Sequence, residues 1–118
     1  MSCAACSSAS CEVFRLDSDN VVAFDDAMNQ SAEPAVALTG AVVSAQLYDV
    51  TDAENPIALG SPIAMPEYPS APSNDYRGTF FADSGAGFYD GQRVEVRIAF
   101  DGGAGLRGAF TFINRVDA

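Results

Sequence analysis

Three cysteines, Cys3, Cys6 and Cys11, crowd the start of the chain, and Cys3-x-x-Cys6 has the spacing of a metal chelate or a redox pair. Structural zinc takes four Cys or His ligands. The chain has no histidine, so three thiols cannot complete that set, and a carboxylate such as Glu12 would be an uncommon fourth. A thioredoxin-like pair belongs beside a βαβ pattern, and none follows. No bound metal is therefore expected, and Cys3, Cys6 and Cys11 are the candidate ligands for one. Two other readings stay open. The thiols are simply reduced on an arm of small residues, or arms from adjacent copies share a disulfide or a metal, as an odd cysteine count permits.

The remaining side chains exclude several chemistries. Without histidine, neither a Ser-His-Asp nor a Cys-His nucleophile can be built within one chain. Without lysine there is no Schiff base and no P-loop lysine. The glycine-rich stretches Asp83–Gly87 and Asp101–Gly105 lead into strands, whereas a phosphate cradle needs a helix N-terminus. Paired acids occur at Asp25-Asp26 and at Asp49, Asp52 and Glu54. They could serve calcium, which takes six to eight oxygens, but no EF-hand spacing is present. A glycosidase pair has no tryptophan beside it to stack on sugar. The expectation is no catalytic residue, no cofactor and no enzyme.

Sixteen acids stand against six arginines, for a net charge of −10. Residues 1–60 hold nine acids and one arginine, a net of −8, and residues 61–118 hold seven acids and five arginines, a net of −2. Such a surface repels phosphate, so nucleic acid is not an expected partner. No stretch approaches the roughly 20 apolar residues of a membrane span, and no basic-then-apolar leader opens the sequence. The expectation is assembly in a cytoplasm, with no membrane contact. Arg77, Arg93, Arg97, Arg107 and Arg115 alternate with apolar residues and are expected on the outer face of one sheet. There they either pair with acids such as Glu95 or meet an acidic neighbour. Arg93 and Arg97 are the partner contacts expected of that face.

The elements that must carry these residues are strands. Residues 1–11 form an arm, and residues 12–118 one domain. Short strands are expected at 12–16 and 20–24, separated by the turn residues Asp17–Asn20. In Ala41–Tyr48, Val43, Ala45 and Leu47 share one face by the period of two. Pro56–Leu59 returns antiparallel. From Ser61 to Asp75, Pro62, Pro66, Pro69 and Pro72 disfavour an interior strand and predict an extended loop or edge segment. In that loop Pro66, Tyr68 and Pro69 are candidate partner contacts, as are Cys3, Cys6 and Cys11 on the arm. Tyr76 and Phe80 face inward. Gln92–Phe100 and Leu106–Val116 alternate on either side of Asp101–Gly105, the pattern of a long hairpin. The expected core is Val43, Leu47, Tyr76, Phe80, Val94, Val96, Ile98, Phe100, Phe110 and Phe112. Short strands broken by turns, with no helical period, predict an all-β fold, an immunoglobulin-like antiparallel β-sandwich preceded by an extended N-terminal arm.

The order of these pieces has a resemblance. Leu38-Thr-Gly-Ala-Val-Val43, Leu47-Tyr-Asp49, Asn55-Pro56, Tyr76-Arg-Gly-Thr79, Tyr89-Asp-Gly91, a Val-x-Val-x-Ile strand and Asp101-Gly-Gly-Ala-Gly105 are similar to small Ig-like structural proteins of tailed bacteriophages. Those proteins decorate capsids or form head–tail neck and baseplate parts. The resemblance covers residues 38–116. It implies a non-enzymatic virion protein, a capsid decoration or head–tail connector component. Its partners would be other virion proteins and copies of itself, in a homo-oligomer assembled in the host cytoplasm. The alternative is a carbohydrate- or calcium-binding β-sandwich module.

Overall fold

Period-two alternation decides the strands. In the computed structural model of the chain, residues 13–29, 34, 36–103 and 106–118 are described. The arm with Cys3, Cys6, Cys11 and Glu12, and Ala104-Gly105 of the hairpin loop, lie outside the described residues. Among the described residues nine strands follow in order: β1 (Phe14–Arg15), β2 (Asp19–Phe24), β3 (Met28–Asn29), β4 (Val36–Ala37), β5 (Val42–Asp49), β6 (Ile57–Ala64), β7 (Tyr76–Phe81), β8 (Arg93–Gly103) and β9 (Leu106–Asp117). One 3-10 turn at Ser84–Ala86 is the sole helical element among the described residues.

The main sheet runs β1-β9-β8-β5-β6, with a separate β2-β7 pair and a small β3-β4 ribbon. β5, β6, β8 and β9 pair antiparallel, and β1 joins β9 in parallel. The fold is all-β and sandwich-like, as expected from the alternation. Among the described residues its second layer is narrow, formed by β2 and β7.

The core lies between the layers. Val94, Val96 and Ile98 of β8 and Val43, Ala45 and Leu47 of β5 are buried from the main sheet. Val22 and Tyr76 are buried from the second layer, and Phe80 packs against the cluster. Each fully buried aliphatic side chain contributes about 1.5–3 kcal/mol. Phe14, Leu38, Met65, Phe88 and Val116 also belong to this core.

Part of the expected core is shallower. Phe100 and Phe112 are only partly buried, and Phe110 is 36% exposed. The narrow second layer explains this: past Phe24, whose ring lies 5.0 Å from Phe110 and 5.7 Å from Phe100, no further strand of that layer follows among the described residues. Phe100 instead lies over Gly108, its partner across the hairpin; a Cβ there would sit 2.5 Å from the Phe100 ring. β6 differs too. It begins as expected but continues through Pro62 to Ala64. It tolerates proline because it is an edge strand, where a missing N–H breaks no ladder.

Tyr76 ties the layers together. Its hydroxyl donates to Leu38 O at 2.9 Å and accepts from Ala41 N at 3.1 Å, fixing the entry into β5.

Candidate contact surface

The arginines are divided by the fold. Arg93 and Arg97 on β8 and Arg107 and Arg115 on β9 share the outer face of the main sheet, as expected. Arg77 does not: it sits on β7 in the other layer. There it makes a bidentate pair with Asp25 at 2.9 Å and lies over the Tyr68 ring at 4.6 Å. The period of two gave its parity but not its sheet.

The outer face is laid out in rows across the strands. Arg115 stands opposite Arg93. Next, Arg97 lies 3.9 Å over the Tyr48 ring and bonds Glu95 at 2.6 Å. Arg107 pairs with Asp101 at 3.4 Å at the far end. Arg115 pairs with Asp117 at 2.7 Å, so three of the four arginines are matched by acids from the same face, and such exposed pairs contribute little each.

Between Arg97 and the Asp101–Arg107 pair the surface dips. Ser44, Ala99 and Ala109 align across β5, β8 and β9 and leave a shallow floor. An open trough of about 630 Å³ lies over them, bordered by Val42, Phe100, Asp101, Arg107 and Gly108. A second depression of about 290 Å³ is lined by Ala41, Val42, Val43, Ala64, Met65 and Pro66. Val42 belongs to both and is 74% exposed. This end of the main sheet is therefore a nearly continuous apolar surface with one ion pair at its border.

Of the residues expected to meet partners, Pro66 borders this surface, and Arg97 flanks it from the next row. Arg93 lies at the opposite end of β8. Tyr68 and Pro69 are exposed but belong to the loop that leads into β7. That loop is fixed: Ser73 N donates to Glu67 Oε2 at 2.6 Å, and Tyr68 N donates to Asp75 O at 2.8 Å. The Tyr68–Pro69 and Ala71–Pro72 bonds are cis. Cys3, Cys6 and Cys11 lie outside the described residues.

Sequence reading missed Val42, Ala99 and Ala109. A signal for Val42 was present. Val42-Val43 places two apolar residues side by side in a strand, so one must face out. Ala99 and Ala109 carry no such mark, because alanine suits either face.

The acidic loops do not form one site. Asp25 engages Arg77, while Asp49 and Asp52 lie at the opposite end of the strands. Asp49 accepts from Gln92 Nε2 at 3.0 Å, Tyr89 Oη at 3.2 Å and Thr51 N at 2.9 Å. Burial pushes its carboxyl up, but the hydrogen bonds from Gln92, Thr51 and Tyr89 outweigh that and hold it below the ordinary carboxylate value. Among the described residues, no group of three or more Cys, Asp or Glu side chains could hold a metal ion. No helix among them is long and apolar enough to cross a membrane. No protein family, curated protein or solved structure matches the chain.

Proposed function

We propose that this chain is a structural protein that works through protein–protein contact. Its proposed setting is the one its order of turns and strands resembles, the particle of a tailed bacteriophage, as a capsid decoration or head–tail connector component. The observation that carries the contact reading is the surface around Val42. Contiguous apolar surface on a small domain marks an interaction site, whereas scattered single residues do not. The two depressions share Val42, and their floor is made of small side chains. A flat floor of this kind suits another protein surface better than a small ligand, which needs a deeper cleft.

The partner is a copy of the chain or a neighbouring virion protein. The Asp101–Arg107 pair at the border supplies one charge of each sign, so it can meet a matching pair and set orientation. Light scattering coupled to size exclusion, together with protein identification in purified particles, tests the reading. It predicts the chain in particles, and loss of incorporation on Ala109→Arg, a position exposed on the outer face of the main sheet. Undiminished incorporation of the Ala109→Arg chain would refute the surface. Absence of the wild-type chain from particles would refute the setting.

A further inference from the structure

β6 is gripped closely from the other side of the core at two places. A Cβ on Gly78 of β7 would fall 2.9 Å from Ala64 O, at the end of β6. A Cβ on Gly87, just past the 3-10 turn, would fall 3.2 Å from Leu59 Cδ2. Between these contacts β6 bulges. Leu59 is in register with Leu47 and Ile63 with Ala45, so Gly60, Ser61 and Pro62 stand opposite the single residue Gln46. Gly60 takes a φ of +72°, in the left-handed region that favours glycine. The Gln46 side chain holds the bulge, with Nε2 donating to Gly60 O and to Leu47 O at 3.1 Å each. A bulge bends its strand out of regular pairing.

At the bulge a slot of about 190 Å³ enters the core. Leu47, Leu59 and Ile63 line it from the main sheet, and Phe80 and Phe88 from the opposite side. Leu47, Leu59 and Phe88 are buried, so the slot ends in the core, while the exposed Ser61 and Phe81 stand at its mouth. Close-packed interiors leave few spaces larger than a water molecule. Water has little to hold it here. A buried water takes about two to four polar partners, and the lining side chains offer one hydroxyl, that of Ser61. Apolar cavities of about 150 Å³ lined by Leu, Ile and Phe take up benzene or xenon.

We propose that this slot is a binding site for a small apolar molecule of single-ring size. It shares no lining residue with the surface around Val42, and the inference is independent of the proposed function. Phe80 and Phe88, stacked with ring centroids 5.8 Å apart, favour an aromatic ligand, which gains ring contacts beyond the area it buries.

Methyl-resolved NMR of the full chain titrated with benzene tests it. Saturable shifts are expected at the methyls of Leu47, Leu59 and Ile63, with intermolecular NOEs from benzene to Leu59 and Ile63 in the wild-type chain. Ala86 is an exposed lining residue on the 3-10 turn. Ala86→Leu fills part of the slot and is expected to weaken benzene binding about tenfold, the worth of roughly two buried carbons. No saturable shift up to the solubility of benzene would overturn the proposal. So would NOEs to Val42 and Ala109 with none to Leu59, or an affinity that Ala86→Leu leaves unchanged. Shifts of the same methyls that follow protein concentration without benzene would assign the slot to a side chain of a second copy, and would overturn it too.

Discussion

Gln92 has no exposed surface, and its amide is fully engaged. Nε2 donates to Asp49 Oδ2 at 3.0 Å and to Gly87 O at 2.9 Å, and Oε1 accepts from Tyr89 N at 3.3 Å. The side chain thus holds the Gly87–Gln92 turn against the end of β5. Gln92→Ala removes a fully buried amide and its three hydrogen bonds to Asp49, Gly87 and Tyr89, each worth about 0.5–1.5 kcal/mol net. A loss of about 2–4 kcal/mol in urea unfolding is expected. Asp49 adds a pH dependence. Its folded carboxyl titrates below the ordinary range, so its contribution is fully present above the unfolded value of 3.8 and is lost as pH falls through the folded one. Stability measured from pH 7 to pH 3 should fall less steeply in Asp49→Asn than in the wild type; parallel curves would remove Asp49 from the acid transition. Tyr76→Phe leaves Leu38 O and Ala41 N without their partner and is expected to cost about 1–2 kcal/mol by the same assay. At this scale the sequence was only partly legible. Tyr76 could be placed inward from alternation, but its hydroxyl partners lie 38 and 35 positions away. Gln92 reads as the first polar residue of a strand, and nothing local marks it as buried.

At the scale of elements, the strands from β5 onward could be read because alternation and turn chemistry agree there. Val43, Ala45 and Leu47 face the core, as do Val94, Val96 and Ile98, while Arg93 and Arg97 face out. Pairing partners were harder. Parity says which face a residue takes but not which sheet owns it, and Arg77 went to the wrong layer for that reason. Gly78 shows what such long-range placement demands. A Cβ there would come within 2.9 Å of Ala64 O and Met65 Cγ, so β7 passes hard against the end of β6. Because Ala64 O is backbone, relief requires the strands to part. Gly78→Ala is expected to destabilise by about 1–3 kcal/mol, read as a lowered urea midpoint with an unchanged slope. A wild-type midpoint would show that the layers separate at no cost.

The whole molecule joins a five-stranded sheet to a narrow partner layer, and its net charge of −10 sets how copies can approach one another. Two such molecules repel at long range. Close contact then favours a surface with little unbalanced charge. The trough beside Val42 satisfies this, since the only charges among its described lining residues are the mutually paired Asp101 and Arg107. Sequence alone pointed instead to the cysteine arm, the proline-rich loop and the arginines, residues chosen for chemical type. The trough is built from small and apolar residues of three strands, and only their register brings them together. The central claim is that this surface is a protein contact, and a competition for incorporation into particles tests it most directly. Equal amounts of wild-type chain and Val42→Arg chain are offered during assembly, and their ratio in purified particles is measured. The account predicts that wild type is strongly enriched. Equal incorporation, with the two chains equally stable in solution, would contradict it.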